Sequence, residues 1–309
     1  MKNTPNLSTT IGKIHLKNPV MPASGVFAFW EDIAKLIDLS KLGALVTKSL
    51  RARPSPGNPP PRVAEIPAGV LASIGIESIG FEAFVEGELP FLRRFNTPII
   101  VSLAGESVEE FVEMAEKLNT VNGVAGIELN LSCPNVKRFG MHFGRDPTVT
   151  REIVSKVRNV TDLTLIAKLT PNVTSVAEIA RAAEEGGADA LTLINSPLGM
   201  AVDVETRRPK LANITGGMSG PAIRPIGIRA VWEASKAVNI PIIGVGGIAS
   251  ASDALEYIIV GARAVQVGAA NFSNPYVMIE IIEGLQDYLI RKGIDDINKL
   301  VGSLVTTQE

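Results

Sequence analysis

Polar side chains close several otherwise apolar runs of the sequence. Lys48 ends one run and Lys168 ends another, and amide or hydroxyl side chains end the others in the same way. The full set comprises Ser24, Thr47, Lys48, Ser102, Asn130, Lys168 and Asn195. A lysine at the end of a buried strand needs an anionic partner, because an unpaired buried charge is costly. Since neither lysine has an evident matched acid, the pattern favours an anionic ligand over two structural ion pairs.

Two glycine-rich turns come late in the chain. They read GVGGIAS at 244–250 and VGAA at 267–270. Small residues let backbone amides approach a phosphate, and the N-terminus of a following helix favours the negative charge. Together the turns predict a phosphate site. With the two lysines, this site fits either a phosphorylated substrate bound to a Schiff-base lysine or flavin mononucleotide (FMN).

The single cysteine limits the redox chemistry that the chain can perform by itself. Cys133 lies in the stretch ELNLSCPN, between Asn130 and Asn135. One cysteine excludes an internal disulfide, a cysteine-based zinc site and an iron–sulfur cluster held by this chain alone, and no other metal site is predicted. Redox chemistry therefore needs an organic cofactor or a partner. The position of Cys133 after a predicted strand, between two amides, favours a catalytic cysteine over an inert one.

The elements that must position these groups alternate between short apolar runs and longer amphipathic stretches. Strands are predicted at 19–24, 43–48, 98–103, 126–131, 163–169, 188–194, 241–245 and 264–268. Continuous hydrophobicity is typical of parallel strands that are buried on both faces. Helices are predicted at 106–118, 175–185, 224–238 and 252–260, and Ser107, Ser175 and Ser252 are expected to cap three of them.

Eight strand and helix alternations in 309 residues favour an α/β fold of the (β/α)₈ TIM-barrel type over a doubly wound open sheet. One domain is expected over residues 1–309, with a small hairpin at 7–18 on the barrel floor. Two segments exceed a normal connection: 53–67, with six prolines, and the glycine-rich 195–221. They are expected to be long loops on the active face, where the C-terminal strand ends of a barrel converge.

Composition and charge exclude several classes of protein. Hydrophobic residues at 46% and charged residues at 20% describe a folded globular chain. The 30 basic and 32 acidic residues nearly cancel and form no blocks, which argues against nucleic-acid and anionic-membrane partners. The longest uncharged stretches are interrupted by Gly, Pro, Asn or Ser, and the N-terminal segment has no continuous apolar region. A cytoplasmic location without a membrane span is therefore expected.

Six stretches, in order along the chain, form a more specific pattern. They are NPVMPASG at 18–25, VTKS at 46–49, PGNPPPRVAEIPAG at 56–69, ELNLSCPNVK at 128–137, AKLTPNVT at 167–174 and IIGVGGI at 242–248. The set resembles the class 1 dihydroorotate dehydrogenases, and most closely the class 1B catalytic subunit. The resemblance implies a (β/α)₈ barrel that carries FMN and oxidises dihydroorotate to orotate in de novo pyrimidine biosynthesis. It also implies a partner subunit with FAD and a 2Fe–2S cluster that passes electrons to NAD⁺, and a homodimer at the core of a heterotetramer.

Carried over residue by residue, the resemblance implies roles for most of the polar residues above. Cys133 would be the base that removes a proton from C5 of the substrate while hydride leaves C6 for the flavin, and Lys168 would lie beside the flavin ring. The FMN-binding set is Ser24, Lys48, Ser49, Ser102, Asn130, Lys168, Ile194, Gly220, Gly246, Gly247, Gly268 and Ala269. The substrate-binding set is Lys48, Ala72, Ser73, Ile74, Gly75, Ile76, Asn130, Asn135, Asn195 and Ser196.

Two positions depart from the family pattern. Ala72, in LASIGIES, stands where the family has a substrate-binding asparagine, and Ser102 stands where an asparagine near the flavin is usual. Losing a hydrogen-bonding partner in a closed site costs about 1–3 kcal/mol. The departures keep open a flavin enzyme for a related dihydropyrimidine; a Schiff-base lyase and a flavin-binding protein without catalysis are further alternatives. A class 1A-like enzyme that uses fumarate would need no partner subunit.

Overall fold

Short strands and intervening helices account for most of the chain in the computed structural model, which describes residues 4–131 and 143–306. The strands in these ranges are β1 (Thr9–Ile11), β2 (Ile14–Leu16), β3 (Val20–Pro22), β4 (Leu45–Val46), β5 (Val63–Ile66), β6 (Gly69–Ala72), β7 (Ile99–Leu103), β8 (Gly126–Asn130), β9 (Thr164–Leu169), β10 (Ala190–Leu193), β11 (Leu198–Met200), β12 (Val202–Asp203), β13 (Arg208–Pro209), β14 (Thr215–Ser219), β15 (Ile242–Val245) and β16 (Ala262–Val267).

Eight of these strands form one parallel sheet in the order β3, β16, β15, β10, β9, β8, β7, β4. Every neighbouring pair in that order is parallel. The backbone N–H of Gly43, just before β4, donates to the carbonyl oxygen of Val20 in β3 at 2.9 Å, so the two ends of the sheet meet. The predicted (β/α)₈ barrel and its eight strands are therefore confirmed, and the open-sheet alternative is wrong.

Helices connect the barrel strands along the outside. They are α1 (Trp30–Leu36), α2 (Phe81–Ala83), α3 (Leu89–Leu92), α4 (Val108–Asn119), α5 (Pro147–Arg158), α6 (Val176–Glu185), α7 (Arg224–Ser235), α8 (Ala251–Ile259), α9 (Ala270–Ser273) and α10 (Val277–Lys292). Ser107 and Ser175 cap α4 and α6 as predicted, each accepting a backbone N–H from the third residue of its helix. The predicted cap at Ser252 is wrong: the Ser250 hydroxyl accepts from Asp253 N at 3.2 Å, and Ser252 lies inside α8.

The hairpin of β1 and β2 closes the N-terminal end of the barrel, as expected for residues 7–18. The strands pair antiparallel. The Lys13 backbone N–H donates to Thr164 Oγ1 at 3.0 Å, at the start of β9. Ile11, Ile14 and Leu16 pack with buried strand residues inside the barrel, which forms a second apolar cluster separate from the one between strands and helices. The barrel interior is thus a filled core below the functional face.

The two segments that were expected to be long loops contribute three of the four strands of a second sheet, and β6 lies between them in sequence. Strands β11, β14, β6 and β5 pair antiparallel in that order, and we call them the roof sheet. Gly217 of β14 pairs with Ala72 of β6, so residues far apart in sequence meet directly. The long segments 53–67 and 195–221 thus contain short strands: β5 pairs with β6, β11 pairs with β14, and β14 pairs with β6.

Candidate active site

A cavity of about 790 Å³ lies between the C-terminal ends of the barrel strands and the roof sheet. Barrel residues on its wall include Ser24, Lys48, Ser49, Asn130, Thr170, Asn172, Asn195 and Ser196. Roof residues complete the lining, from Ala72 to Glu77 on one side and from Ala212 to Gly217 on the other. The structure therefore places the cavity on the face that the sequence predicted, and the long segment 195–221 contributes to its wall together with the loop after β6.

A chain of hydroxyl and amide groups joins four strand ends, three of them on the cavity wall. The Ser49 and Ser102 hydroxyl oxygens are 3.0 Å apart. Asn130 Nδ2 donates to Ser49 Oγ at 3.1 Å, and Asn195 Nδ2 donates to Asn130 Oδ1 at 3.1 Å. Ser102 is fully buried and does not line the cavity. Ser102 therefore orients Ser49, which in turn orients the Asn130 amide at the cavity.

Lys168 lies in a buried polar network inside the barrel mouth. Its Nζ donates to Ser24 Oγ at 2.9 Å, to Gln266 Oε1 at 3.1 Å and to Glu128 Oε1 at 3.4 Å. The other Glu128 oxygen accepts from Gln266 Nε2 at 2.6 Å and from Thr192 Oγ1 at 3.0 Å. Lys168 is 4% exposed and Glu128 is 0% exposed. Ser24 is the partner of Lys168 that lines the cavity, so it connects the network to the cavity.

Both strand-end lysines have carboxylate partners, which corrects the sequence interpretation. Lys48 Nζ lies 3.1 Å from Glu77 Oε2, while Arg62 lies 3.6 Å from the other oxygen of Glu77. The hydrogen bond and the charge of Lys48 hold the pKa of Glu77 below its usual range. Glu128 lies in the motif ELNLSCPN, but the sequence around it does not indicate that it pairs with Lys168, 40 residues later. Both lysines that a Schiff-base mechanism could use are thus engaged with carboxylates.

The loop after β6 is held from two sides. Asn58 Nδ2 donates to Ser73 O and Ser73 Oγ, both at 3.0 Å, and Asn213 Nδ2 donates to Ser73 Oγ at 3.1 Å. Gly75 has φ +77°, and an added Cβ would come within 2.5 Å of Asn58. The loop therefore has one well-defined path, and Ala72 at its start lines the cavity.

The predicted phosphate turns lie side by side after β15 and β16. Gly246 and Gly247 have positive φ angles of +129° and +68°. The Tyr257 hydroxyl donates to Gly246 O at 2.7 Å, and burial raises the pKa of Tyr257 above its usual range. An added Cβ at Gly268 would meet one described atom within 4 Å, Ala23 Cβ at 3.9 Å. Space for a ligand therefore remains beside the second turn.

Comparison with known proteins identifies the family. The family model described as dihydroorotate dehydrogenase matches residues 6–289. The chain belongs to the dihydroorotate dehydrogenase family. It is 52% identical to a protein of Geotalea uraniireducens over 98% of this chain and 99% of the relative. A Thermoanaerobacter pseudethanolicus protein is 52% identical over 97% of this chain and 99% of the relative, and one from Desulforamulus reducens is 49% identical over 96% and 98%.

All three relatives are named dihydroorotate dehydrogenase B (NAD(+)), catalytic subunit. The class 1B resemblance is therefore confirmed. Within the described residues, no helix combines the length and hydropathy that crossing a membrane requires. The same residues contain no group of three or more His, Cys, Asp or Glu side chains that could hold a metal ion.

Several residues of the predicted FMN and substrate sets lie apart from the cavity wall or outside the described residues. Ser102, Lys168, Ile194, Gly220, Gly246, Gly247, Gly268 and Ala269 do not line the cavity. Cys133 and Asn135 lie outside the residues that the structure describes. The roles of all these residues stay predictions.

The structure also brings residues to the cavity that the sequence did not single out. They are Gly25, Glu77, Leu131, Gly144, Arg145, Thr170, Asn172, Leu198 and residues 212–217. Asn172 had a signal, because it lies in AKLTPNVT directly after β9. Its Oδ1 accepts the Leu198 backbone N–H at 2.9 Å, which ties the barrel to the roof sheet. Most of the others also lie in stretches that the sequence analysis quoted, but no role was assigned to them; only Gly144 and Arg145 lie outside all of those stretches.

Proposed function

We propose that the chain is an FMN-dependent dihydroorotate dehydrogenase that oxidises dihydroorotate to orotate in de novo pyrimidine biosynthesis. The observation that carries the proposal is the polar cavity at the barrel mouth of a member of this family. It combines the Asn130 and Asn195 amides with the Lys48 cation. An amide pair can bind the donors and acceptors of a pyrimidine ring, and a cation can bind its carboxylate.

The residues around the cavity fit FMN. Open space adjoins Gly268, and no atom lies within 4 Å of an added Cβ at Gly25. Asn271 Oδ1, close to the second turn on α9, is buried and finds no hydrogen-bond partner among the described residues. FMN would supply the acceptor for the hydride that leaves C6. The phosphate would be held at Gly246, Gly247, Gly268 and Ala269. Ser24, Lys48, Ser49, Ser102, Asn130, Lys168, Ile194 and Gly220 would hold the rest.

Residues of this chain would remove the proton, hold the substrate ring and supply positive charge. Cys133 removes the proton from C5, and Lys48, Asn130, Asn135, Asn195 and Ser196 hold the ring, together with the loop at 72–76. The network around Lys168 fixes its ammonium group next to Ser24, where it would supply a positive charge near the flavin. Residues of the roof sheet line the side of the cavity opposite the barrel strands.

The anaerobic visible spectrum of the purified chain, before and after dihydroorotate, tests this proposal. We expect a flavin band that bleaches on addition of substrate. The variant C133A should bleach about 10²–10⁴-fold more slowly while binding orotate as before, because a general base contributes about that factor. A purified chain without flavin, or unchanged bleaching in C133A, would contradict the proposal.

A second candidate is an FMN enzyme for a related dihydropyrimidine, and Ala72 is the observation that favours it. Its methyl group offers no hydrogen bond to the substrate ring. The same spectral experiment with dihydrouracil separates the two candidates. Bleaching by dihydrouracil together with none by dihydroorotate would favour the second.

The proposal includes a partner and an assembly. One domain over residues 1–309 would form a homodimer in the cytoplasm, at the core of a heterotetramer whose second subunit carries FAD and a 2Fe–2S cluster. The supporting observation is the phrase catalytic subunit in the relatives' names. Reduction of NAD⁺ by dihydroorotate should require a co-expressed partner. Turnover with fumarate by the chain alone would instead indicate class 1A-like behaviour.

A further inference from the structure

Of the two cations on the described cavity wall, one forms an ion pair and the other does not. Among described residues, Lys48 and Arg145 are the cations on the wall and Glu77 is the carboxylate. Lys48 already pairs with Glu77 at 3.1 Å, and Arg62 supports the same carboxylate from outside. Arg145 is exposed and forms no ion pair within residues 4–131 and 143–306. The cavity thus has one cation whose charge no described side chain neutralises.

The backbone that carries Arg145 is anchored before and after it. Phe143 is buried and packs edge-on against Phe111, with 6.3 Å between ring centroids. The Thr150 hydroxyl donates to Phe143 O at 3.2 Å. On the other side, Asp146 caps α5 by accepting from two backbone N–H groups of its first turn. Arg145 therefore extends from a short, fixed turn, Phe143–Arg145.

The same turn packs against the end of β8. An added Cβ at Gly144 would come within 2.8 Å of Leu131 O, so the turn and the strand end are in close contact. Leu131, Gly144 and Arg145 line the cavity together, next to Asn130. Arg145 thus shares a wall of the cavity with an amide that the proposed function assigns to the substrate ring.

We propose that Arg145 recruits and binds the carboxylate of the substrate at the entrance of the cavity. This inference rests on the proposed function, since dihydroorotate and orotate carry one carboxylate. A guanidinium presents paired donors that match a carboxylate. Lys48 shares its charge with Glu77, whereas Arg145 has no carboxylate partner among the described residues. Because the Ala72 side chain supplies no polar atom, the ligand depends more strongly on the cations for its orientation.

An exposed cation that attracts a charged ligand leaves a distinctive signature. It should raise affinity for the anionic ligand, leave a neutral ring analogue unaffected and lose its effect as salt rises. A residue that only supports the fold would alter the binding of charged and neutral ligands alike. Uracil, which has the ring of orotate without the carboxylate, is the matched neutral probe.

Calorimetric titration of the FMN-loaded chain with orotate and with uracil tests the inference, using wild type, R145A, R145K and R181A. Arg181 is an exposed arginine on α6 outside the cavity wall, so R181A matches the change in net charge. We expect R145A to weaken orotate binding at least tenfold, R145K to recover part of it and R181A to equal wild type. Uracil should bind all four alike, and kcat for dihydroorotate should hold while KM rises.

The outcomes separate this inference from the proposed function. If wild type binds orotate and R145A binds it within twofold of wild type, Arg145 has no such role, while the proposed function stands. Equal weakening of orotate and uracil in R145A also overturns the inference, because it indicates a structural effect. A wild-type chain that binds no orotate overturns both.

Discussion

Replacing Glu128 by glutamine tests the buried network around Lys168. The carboxylate is fully buried and accepts hydrogen bonds from Lys168, Gln266 and Thr192. A glutamine keeps the volume but loses the charge, and its amide NH₂ must face at least one donor. Removing one partner of a buried ion pair costs about 3–5 kcal/mol, because the other charge stays buried without compensation. We expect E128Q to lose about that much unfolding free energy.

Urea unfolding followed by tryptophan fluorescence measures this loss, provided that the m-value is unchanged. The control is E152Q, which breaks an exposed pair between Glu152 and Lys156 at 2.7 Å. Exposed pairs contribute at most about 1 kcal/mol, so E152Q should be near wild type. The double variant E128Q/K168M should recover most of the loss, since it removes the uncompensated charge.

A loss below about 1 kcal/mol in E128Q would refute the reasoning, because it would mean that Lys168 needs no buried counter-charge. A double variant no more stable than E128Q would refute it as well. The cost would then come from packing or from the Gln266 and Thr192 hydrogen bonds, and not from an isolated ammonium.

Three further predictions follow from other sites. Ala72→Asn should restore an amide at the cavity and tighten orotate binding about tenfold or more, as measured by calorimetry; an unchanged Kd would show that the ring is bound elsewhere. Burial raises the pKa of Glu88 from 4.5 to about 7, opposed by the Trp30 N–H and by Lys48. The folded chain therefore binds this proton more tightly than the unfolded chain, so the free energy of unfolding falls as pH rises from about 4.5 to about 7. The variant E88Q should lack up to about 3 kcal/mol of this fall. Parallel profiles of unfolding free energy against pH for wild type and E88Q would contradict the prediction. Gly227→Ala would push a methyl group into the Tyr257 hydroxyl that holds Gly246, and should cost about 1–3 kcal/mol and loosen FMN. Gly87→Ala, with no atom within 4 Å of the added carbon, is its control and should lower neither melting temperature nor FMN content.

The barrel could be predicted from sequence because its signals are local. Each barrel strand is a continuous apolar run, and each predicted run became a strand of the parallel sheet. Helix caps also have local signals, and the N-caps Ser107 and Ser175 were predicted correctly. In IASAS, Ser250 precedes the helix and Ser252 is its second residue. The spacing of the apolar residues did not show which of the two serines is the cap.

The roof sheet and the ion pairs could not be predicted in the same way. β14 reads TGGMS, which has little strand character, and it pairs with β6 about 150 residues earlier in the chain. Glu128 is opposite Ile166 on the neighbouring strand and meets Lys168 two positions further along the same strand. Lys48 meets Glu77 across a loop. Each of these contacts depends on three-dimensional pairing, which a single sequence does not reveal.

The roof sheet also sets the order in which a growing chain can complete its cavity. Strand β6 leaves the ribosome early, but its partner β14 ends at Ser219, about 150 residues later. At roughly 5–20 residues per second, the gap lasts roughly 7–30 s. During that time the barrel strands already synthesised can pair with their neighbours, while β6 still lacks β14. The nascent chain therefore gains its complete binding site late in synthesis, after most of the barrel already exists.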